Sequence, residues 1–314
     1  MNPPDTEAPT DPNDDQVSGP VCVMCFNASD ASGAGGVSGD ITTVAAMGGH
    51  ALPVITTIVM RDTAEVFDHT PIDPETVVEQ ARSVLEDLTI GGWKVGFLGT
   101  AESVGAVAEV LSDYPDVPLV TYVPSLSWID DEDAAQSYHD ALRELVLPQT
   151  EVLVGNQKTL TDFLLPDWDA ERPPSARELA VAAGELGASH VLVTGVQLPN
   201  NFVDNVLASP QGAITGEKFE RFETSFVGAG DTLSSALATL LATGQELHLA
   251  VSEALAFLDQ ALDAGFRPGM GSVIPDRFFW ALPPEDEDEE GAEANGTDTG
   301  EDGDATVPPS RNIH

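Results

Sequence analysis

An alternation along the chain constrains its fold more than any other feature. Short apolar runs at residues 21–26, 52–59, 93–98, 119–123, 152–154 and 191–194 are separated by amphipathic stretches. Those stretches lie at 38–47, 75–88, 103–111, 133–145, 160–165 and 176–186, and two more helices follow Asp231 and Glu246. Short apolar runs between turn formers read as buried strands, while apolar residues three and four apart read as helices with one buried face. Strands that alternate with helices make a mostly parallel sheet, because each crossover helix returns the chain to the same edge and covers a face. In such sheets ligands bind beyond the carboxyl ends of the strands. The loops that leave strands are therefore the informative ones.

Outside this block the composition changes. Residues 1–20 are rich in Pro, Asp and Asn, and residues 284–314 in Glu, Asp and Gly. Neither has the apolar surface to offset its ordering entropy, so both read as disordered acidic extensions around one domain at 21–283. With 12 Lys and Arg against 53 Asp and Glu, the formal charge is −41. Such a surface repels phosphate backbones and anionic bilayers, which excludes nucleic acid and membranes as partners. It suits a protein kept soluble at high salt. Cys22 and Cys25 form a C-x-x-C, but in a strand residues three apart point to opposite faces, so they read as small core residues. His50, His69 and His139 have no ligand spacing. Neither a secretory leader nor a stretch of about eighteen apolar residues is visible, and the chain reads as cytoplasmic.

Two glycine-rich segments stand where sites belong. Late in the chain, Gly228-Ala229-Gly230-Asp231 opens a helix whose leucines at 233, 237, 240 and 241 recur at helical spacing. Glycine lets the backbone turn sharply, and the open N–H groups of a first turn attract anions. Asp231 is then either a helix cap or a base placed beside a bound phosphate. Early in the chain, residues 27–40 read NASDASGAGGVSGD. This segment fits neither GxxxxGK[ST] nor GxGxxG, and reads as a loop after the first strand that either caps a helix or holds a ligand.

Together the two segments, about two hundred residues apart, resemble the hydroxymethylpyrimidine/phosphomethylpyrimidine kinases of thiamine biosynthesis, within the ribokinase-like superfamily. Ala28-Ser29-Asp30, Ser32, Gly33, Gly35-Gly36 and Asp40 fall in register with that family's opening run, and Trp93-Lys94-Val95-Gly96-Phe97-Leu98 with one of its strands. The resemblance covers most of residues 21–275 and implies a ribokinase-like three-layer α/β/α fold with a mostly parallel central sheet. It implies ATP-dependent phosphorylation of the hydroxymethyl group of 4-amino-5-hydroxymethyl-2-methylpyrimidine or of its monophosphate. Asp231 is then the catalytic base, and Gly228, Ala229 and Gly230 form the anion hole. Asp30, Gly33 and Arg61 contact the acceptor; Asn156, Thr194 and Gly195 contact the nucleotide; and Mg2+ accompanies ATP.

The chain also departs from the family. Arg61 stands where a pyrimidine-binding Gln is usual, Val123-Pro124 replaces Asp-Pro, and Thr159 replaces the acid three residues after Asn156. These lost acids leave the magnesium ligands unassigned. Asp231 occupies a position where the pyrimidine kinases usually carry Cys and pyridoxal kinases Asp. A pyridoxal kinase, or a binding protein with reduced activity, are the alternatives. The sequence fixes no oligomeric state, and a homodimer is one arrangement open to it.

Overall fold

Every apolar run becomes a strand, and in this computed structural model, which describes residues 19–281, the strands join a single sheet. In chain order they are β1 (Cys22–Asp30), β2 (His50–Arg61), β3 (Val66–Pro71), β4 (Gly92–Val95) and β5 (Leu119–Tyr122). They continue as β6 (Val152–Asn156), β7 (His190–Leu198), β8 (Phe202–Ser209) and β9 (Gly212–Glu220). The spatial order is β3-β2-β1-β4-β5-β6-β7-β8-β9. The six strands from β2 to β7 in that order run parallel. β3 pairs antiparallel with β2, and β8 and β9 extend the other side as antiparallel neighbours. These three antiparallel strands are additions to the sequence reading.

The helices are α1 (Gly36–Ala46), α2 (Pro74–Leu85), α3 (Ala101–Ser112), α4 (Glu132–Ala141), α5 (Gln157–Leu164), α6 (Ala176–Glu185), α7 (Ala229–Ala242) and α8 (Leu247–Asp263). They cover both faces. Met24, Phe26 and Ala28 of β1 point into a core shared with α2, α3, α4, α5 and α6, while Val23 and Cys25 point into a core shared with α1, α7 and α8. This period-two division is what a strand buried on both sides requires. It separates the two cysteines as expected: both are free thiols, Cys22 packs on the first core, and Cys25 lies fully buried in the second. The three-layer architecture stands as read from the sequence.

One boundary moves. Residues 27–40 are not a single loop, because β1 continues through Asp30 and α1 starts at Gly36. The pairing of β1 with β2 survives a register shift between Asn27 and Ala28. The Asn27 Oδ1 accepts from the N–H groups of Ala28 and Phe97, which ties the irregularity to the end of β4. Residues 19–279 form one compact unit. The acidic extensions expected at 1–20 and 284–314 lie outside the described residues, apart from Gly19 and Pro20. Among the described residues no helix is long and apolar enough to cross a membrane.

Candidate active site

Five helices are capped by a side chain at their own N-cap, from Asp73, Thr100, Asp131, Asn156 and Ser175. α8 has no such cap, and neither do α1 and α7, whose N-caps are Gly35 and Gly228. The first turns of both helices therefore keep N–H groups for another partner. Both starts lie on one cavity of about 260 Å3 at the carboxyl edge of the sheet, lined among others by Asn27, Asp30, Arg61, Tyr122, Gly228 and Asp231.

The glycines are dictated by close approach. Gly228 has φ +84°, and a Cβ there would run into the carbonyl of Ala34 and stand 2.9 Å from Arg277 Nη2. A Cβ on Gly230 would overlap the ring of Tyr122, which projects from the end of β5. The late turn is thus pressed between the early loop and the sheet. Arg277, 5% exposed, ties the pieces together: Nη2 donates to Ala34 O at 2.6 Å and Nε donates to Thr232 Oγ1 at 3.0 Å. No motif in the sequence marks this arginine's place.

Asp231 sits in the first turn of α7 with its side chain 14% exposed. Its Oδ2 accepts from Gly36 N at 2.9 Å, so the carboxylate of one helix caps the other. Its Oδ1 accepts from Asn27 Nδ2 at 2.8 Å and pairs with Lys94 Nζ at 2.6 Å. Lys94, fully buried on β4, also pairs with Asp40 at 2.8 Å. Asp40, fully buried on α1, accepts further from Asn27 Nδ2 at 2.9 Å and Ser235 Oγ at 2.7 Å. One ammonium thus bridges two carboxylates, and every partner is hydrogen-bonded, the condition under which buried charge is tolerated.

The titration behaviour follows. Burial pushes the Asp231 carboxyl up, but the charge and hydrogen bond of Lys94 outweigh it, with Gly36 and Asn27 assisting, and hold it below the usual range. Burial pushes Asp40 up and Lys94 draws it back, yet the nearby Asp231 charge leaves it above the ordinary value. Burial would lower Lys94; the two carboxylates overcome that and raise it. Lys94 and Asn27 are the site residues that sequence reading passed over. The available signal was a lysine inside the apolar run GWKVGFL, since a charge in a doubly covered strand demands counter-ions.

The other expected residues divide. Asp30 lines the cavity, but its oxygens accept from Ser32 N, Ser32 Oγ and Gly35 N, which shapes the early loop. Arg61 lines the cavity 3.9 Å from Asp30 and donates through Nε to the carbonyl of Asp62. Gly33, with φ +72°, closes the loop by donating to Asp30 O and is not among the lining residues, nor are Ala229 and Gly230. Asn156 and Gly195 line a different cavity of about 650 Å3 beside Lys158 and Arg172. The Asn156 side chain caps α5 through Thr159 N, Thr194 Oγ1 donates to Gly155 O, and Gly195 N donates to Asn205 Oδ1.

Among the described residues no group of three or more His, Cys, Asp or Glu is placed to hold a metal ion. The oxygens of Asp40 and Asp231 are taken largely by nitrogen and hydroxyl donors. This donor set fits Mg2+ only as an ion liganded chiefly by phosphate oxygens and water.

Comparison with known proteins identifies the family. Residues 30–276 match the family model described as phosphomethylpyrimidine kinase. A hydroxymethylpyrimidine/phosphomethylpyrimidine kinase of Streptomyces coelicolor is 31% identical over 264 residues, covering 84% of this chain and 96% of that protein. The enzyme of the same name from Salmonella typhimurium is 31% identical over 241 residues, covering 74% and 88%. Among solved structures, a Bacillus subtilis pyridoxal kinase in complex with ADP superposes with a TM-score of 0.75 at 23% identity, covering 84% of this chain and all of that one. The chain belongs to the phosphomethylpyrimidine kinase family.

Proposed function

We propose that this chain transfers the γ-phosphoryl group of ATP to the hydroxymethyl oxygen of 4-amino-5-hydroxymethyl-2-methylpyrimidine, or to its monophosphate, in thiamine biosynthesis. The observation that carries the proposal is the convergence on a single cavity of two helix starts with glycine N-caps and of the one carboxylate that bridges them. Phosphoryl transfer asks mainly for positioning and for donors aimed at spreading negative charge. The N–H groups at the start of α7, from Gly228 to Gly230, supply such donors without reorganisation. Each is worth about 3 kcal/mol of barrier by analogy with other preorganised sites.

Asp231 takes the hydroxyl proton as the oxygen attacks phosphorus. Held ionised by Lys94, it is a weak base, so the proton moves late, when the attacking oxygen has already become acidic. Asn27 and Lys94 occupy Oδ1, and Gly36 occupies one position on Oδ2. The remaining lone pair of Oδ2 is the one available to the acceptor. Asp30 acts through the loop it shapes, and Arg61 contacts the acceptor ring or its phosphate. Magnesium, carried in with ATP, would neutralise phosphate charge. Asn156 ends β6 and faces Thr194 at the last step of the parallel β6–β7 pairing, with Gly195 next in β7, which supports a nucleotide entering from that side.

A second reading is favoured by one observation, the fit to pyridoxal kinase structures, which exceeds the TM-score of 0.64 to a Clostridium difficile phosphomethylpyrimidine kinase. An ADP-release screen of hydroxymethyl heterocycles with Mg-ATP tests both. Turnover with the pyrimidine and not pyridoxal supports the first reading, the reverse supports the second, and turnover with neither removes both.

A further inference from the structure

Lys94 presents a difficulty for any proton uptake at Asp231. In a simple buried pair, protonating the carboxylate would strand an ammonium with no counter-ion, and an orphaned buried charge is strongly destabilising. Such a carboxylate would resist the proton that phosphoryl transfer delivers to it. Here the ammonium has a second carboxylate. Asp40, which unlike Asp231 does not line the cavity, holds Lys94 Nζ at 2.8 Å, is itself fully buried, and is fixed by Asn27 and Ser235.

We propose that Asp40 is a positioning residue for turnover, the standby counter-ion that keeps Lys94 paired while Asp231 is transiently neutral. This rests on Asp231 being the base. When the acceptor proton reaches Asp231, the O–H bond of the substrate breaks, an O–H bond on the carboxylate forms, and no other proton moves. The cluster passes from two carboxylates and one ammonium to one of each. Lys94 then leans on Asp40 alone, and Asn27, which donates to both carboxylates, holds the two in register. The other groups facing Asp231 do not take this role. Arg277 is cationic, while burial keeps the Tyr122 hydroxyl and Cys25 thiol neutral. Arg61 is cationic and lies 3.9 Å from Asp30, and Asp30 is committed to the early loop.

The charges predict opposite consequences for the two partners. Removing Asp40 leaves Asp231 as sole counter-ion of Lys94, so its proton affinity falls. Removing Lys94 leaves two carboxylates facing each other, so it rises. For Asp40→Asn, kcat should fall about tenfold or more while KM for both substrates stays within about twofold, as for loss of proton-transfer assistance alone. Lys94→Met should bring an acid limb into the kcat profile between about pH 5 and 8 where wild type is flat. The double variant Asp40→Asn/Lys94→Met should show that limb at lower pH than Lys94→Met, because the like charge has gone. A flat Lys94→Met profile, or the same limb with and without Asp40, overturns the proposal. If Lys94→Met does not fold, Asp40→Asn against wild type decides: a fall in kcat of about tenfold or more with KM held supports the proposal, and wild-type kcat overturns it. Asp231→Asn assayed alongside separates the two claims. Retained turnover there refutes Asp231 as base, whereas lost turnover with no ordered acid limbs refutes only the role of Asp40.

Discussion

Gly230→Ala should inactivate this protein for a reason that can be worked from one contact. Gly230 lies in the first turn of α7 at ordinary helical φ, so the backbone accepts alanine. On propensity alone the change would stabilise the helix by about 1 kcal/mol. The added Cβ, however, would overlap three atoms on one side of the Tyr122 ring. Tyr122 belongs to a central parallel strand, so neither partner can yield cheaply, and overpacking of this kind costs about 1–3 kcal/mol. With a rigid ring the upper end applies, and the net loss is about 2 kcal/mol. For a domain of this size that lowers Tm by roughly 4–8 °C. The helix start must also shift away from the ring, and Asp231 with it; a displacement of about 1 Å at a reacting group costs on the order of a hundredfold in rate. Tyr122→Leu removes the colliding atoms, so thermal unfolding of the two single variants and the double gives the coupling directly. The double should recover most of the loss caused by Gly230→Ala. A Gly230→Ala protein with wild-type Tm and turnover, or additive effects in the double, would show that the turn is not confined by Tyr122.

Three further outcomes follow from the same geometry. Arg277→Met removes the donors that join Ala34 O to Thr232 Oγ1, so it should cost about 1–3 kcal/mol of stability and raise KM for ATP, read by thermal melts and steady-state kinetics. Gly228→Ala forces a Cβ into Ala34 and a left-handed backbone on a residue that resists it, so turnover should fall below detection even where circular dichroism shows folded protein. The histidines should titrate on opposite sides of their ordinary value in an NMR experiment. Hydrogen bonding to Glu151 raises His190, so that pair stabilises fully below the unfolded histidine pKa and fades as pH rises through the folded one. Burial lowers His139, so it destabilises the fold as pH falls below the unfolded value.

Much of the fold was readable because the physics was local. The core strands announce themselves as apolar runs, and the C-x-x-C resolves by strand periodicity alone. β3, β8 and β9 were missed because polar residues interrupt them: Asp204 and Asn205 break Phe202–Ser209, and Thr215, Glu217, Lys218 and Glu220 break Gly212–Glu220, so none reads as an apolar run. A cue was present in Pro199-Asn200-Asn201, where both asparagines take φ 62° to turn β7 into β8. At the site, the glycines and Asp231 were legible as a motif. The counter-ions were not, since Lys94, Asp40 and Asn27 come from three separate elements and meet only in the folded sheet. Arg277 lies just beyond the residues that match the family, so no motif pointed to it.

Everything at this site turns on whether the carboxylate at the start of α7 accepts the proton of a hydroxymethyl group as that oxygen receives the γ-phosphoryl group of ATP. Rapid-quench single turnover with Mg-ATP and the hydroxymethylpyrimidine, comparing wild type with Asp231→Asn and identifying the product by mass, tests it most directly. Wild type should add one phosphoryl group to the pyrimidine, and the variant should do so at a rate about two to four orders of magnitude lower, with ATP affinity little changed. An equal rate in the variant would contradict it.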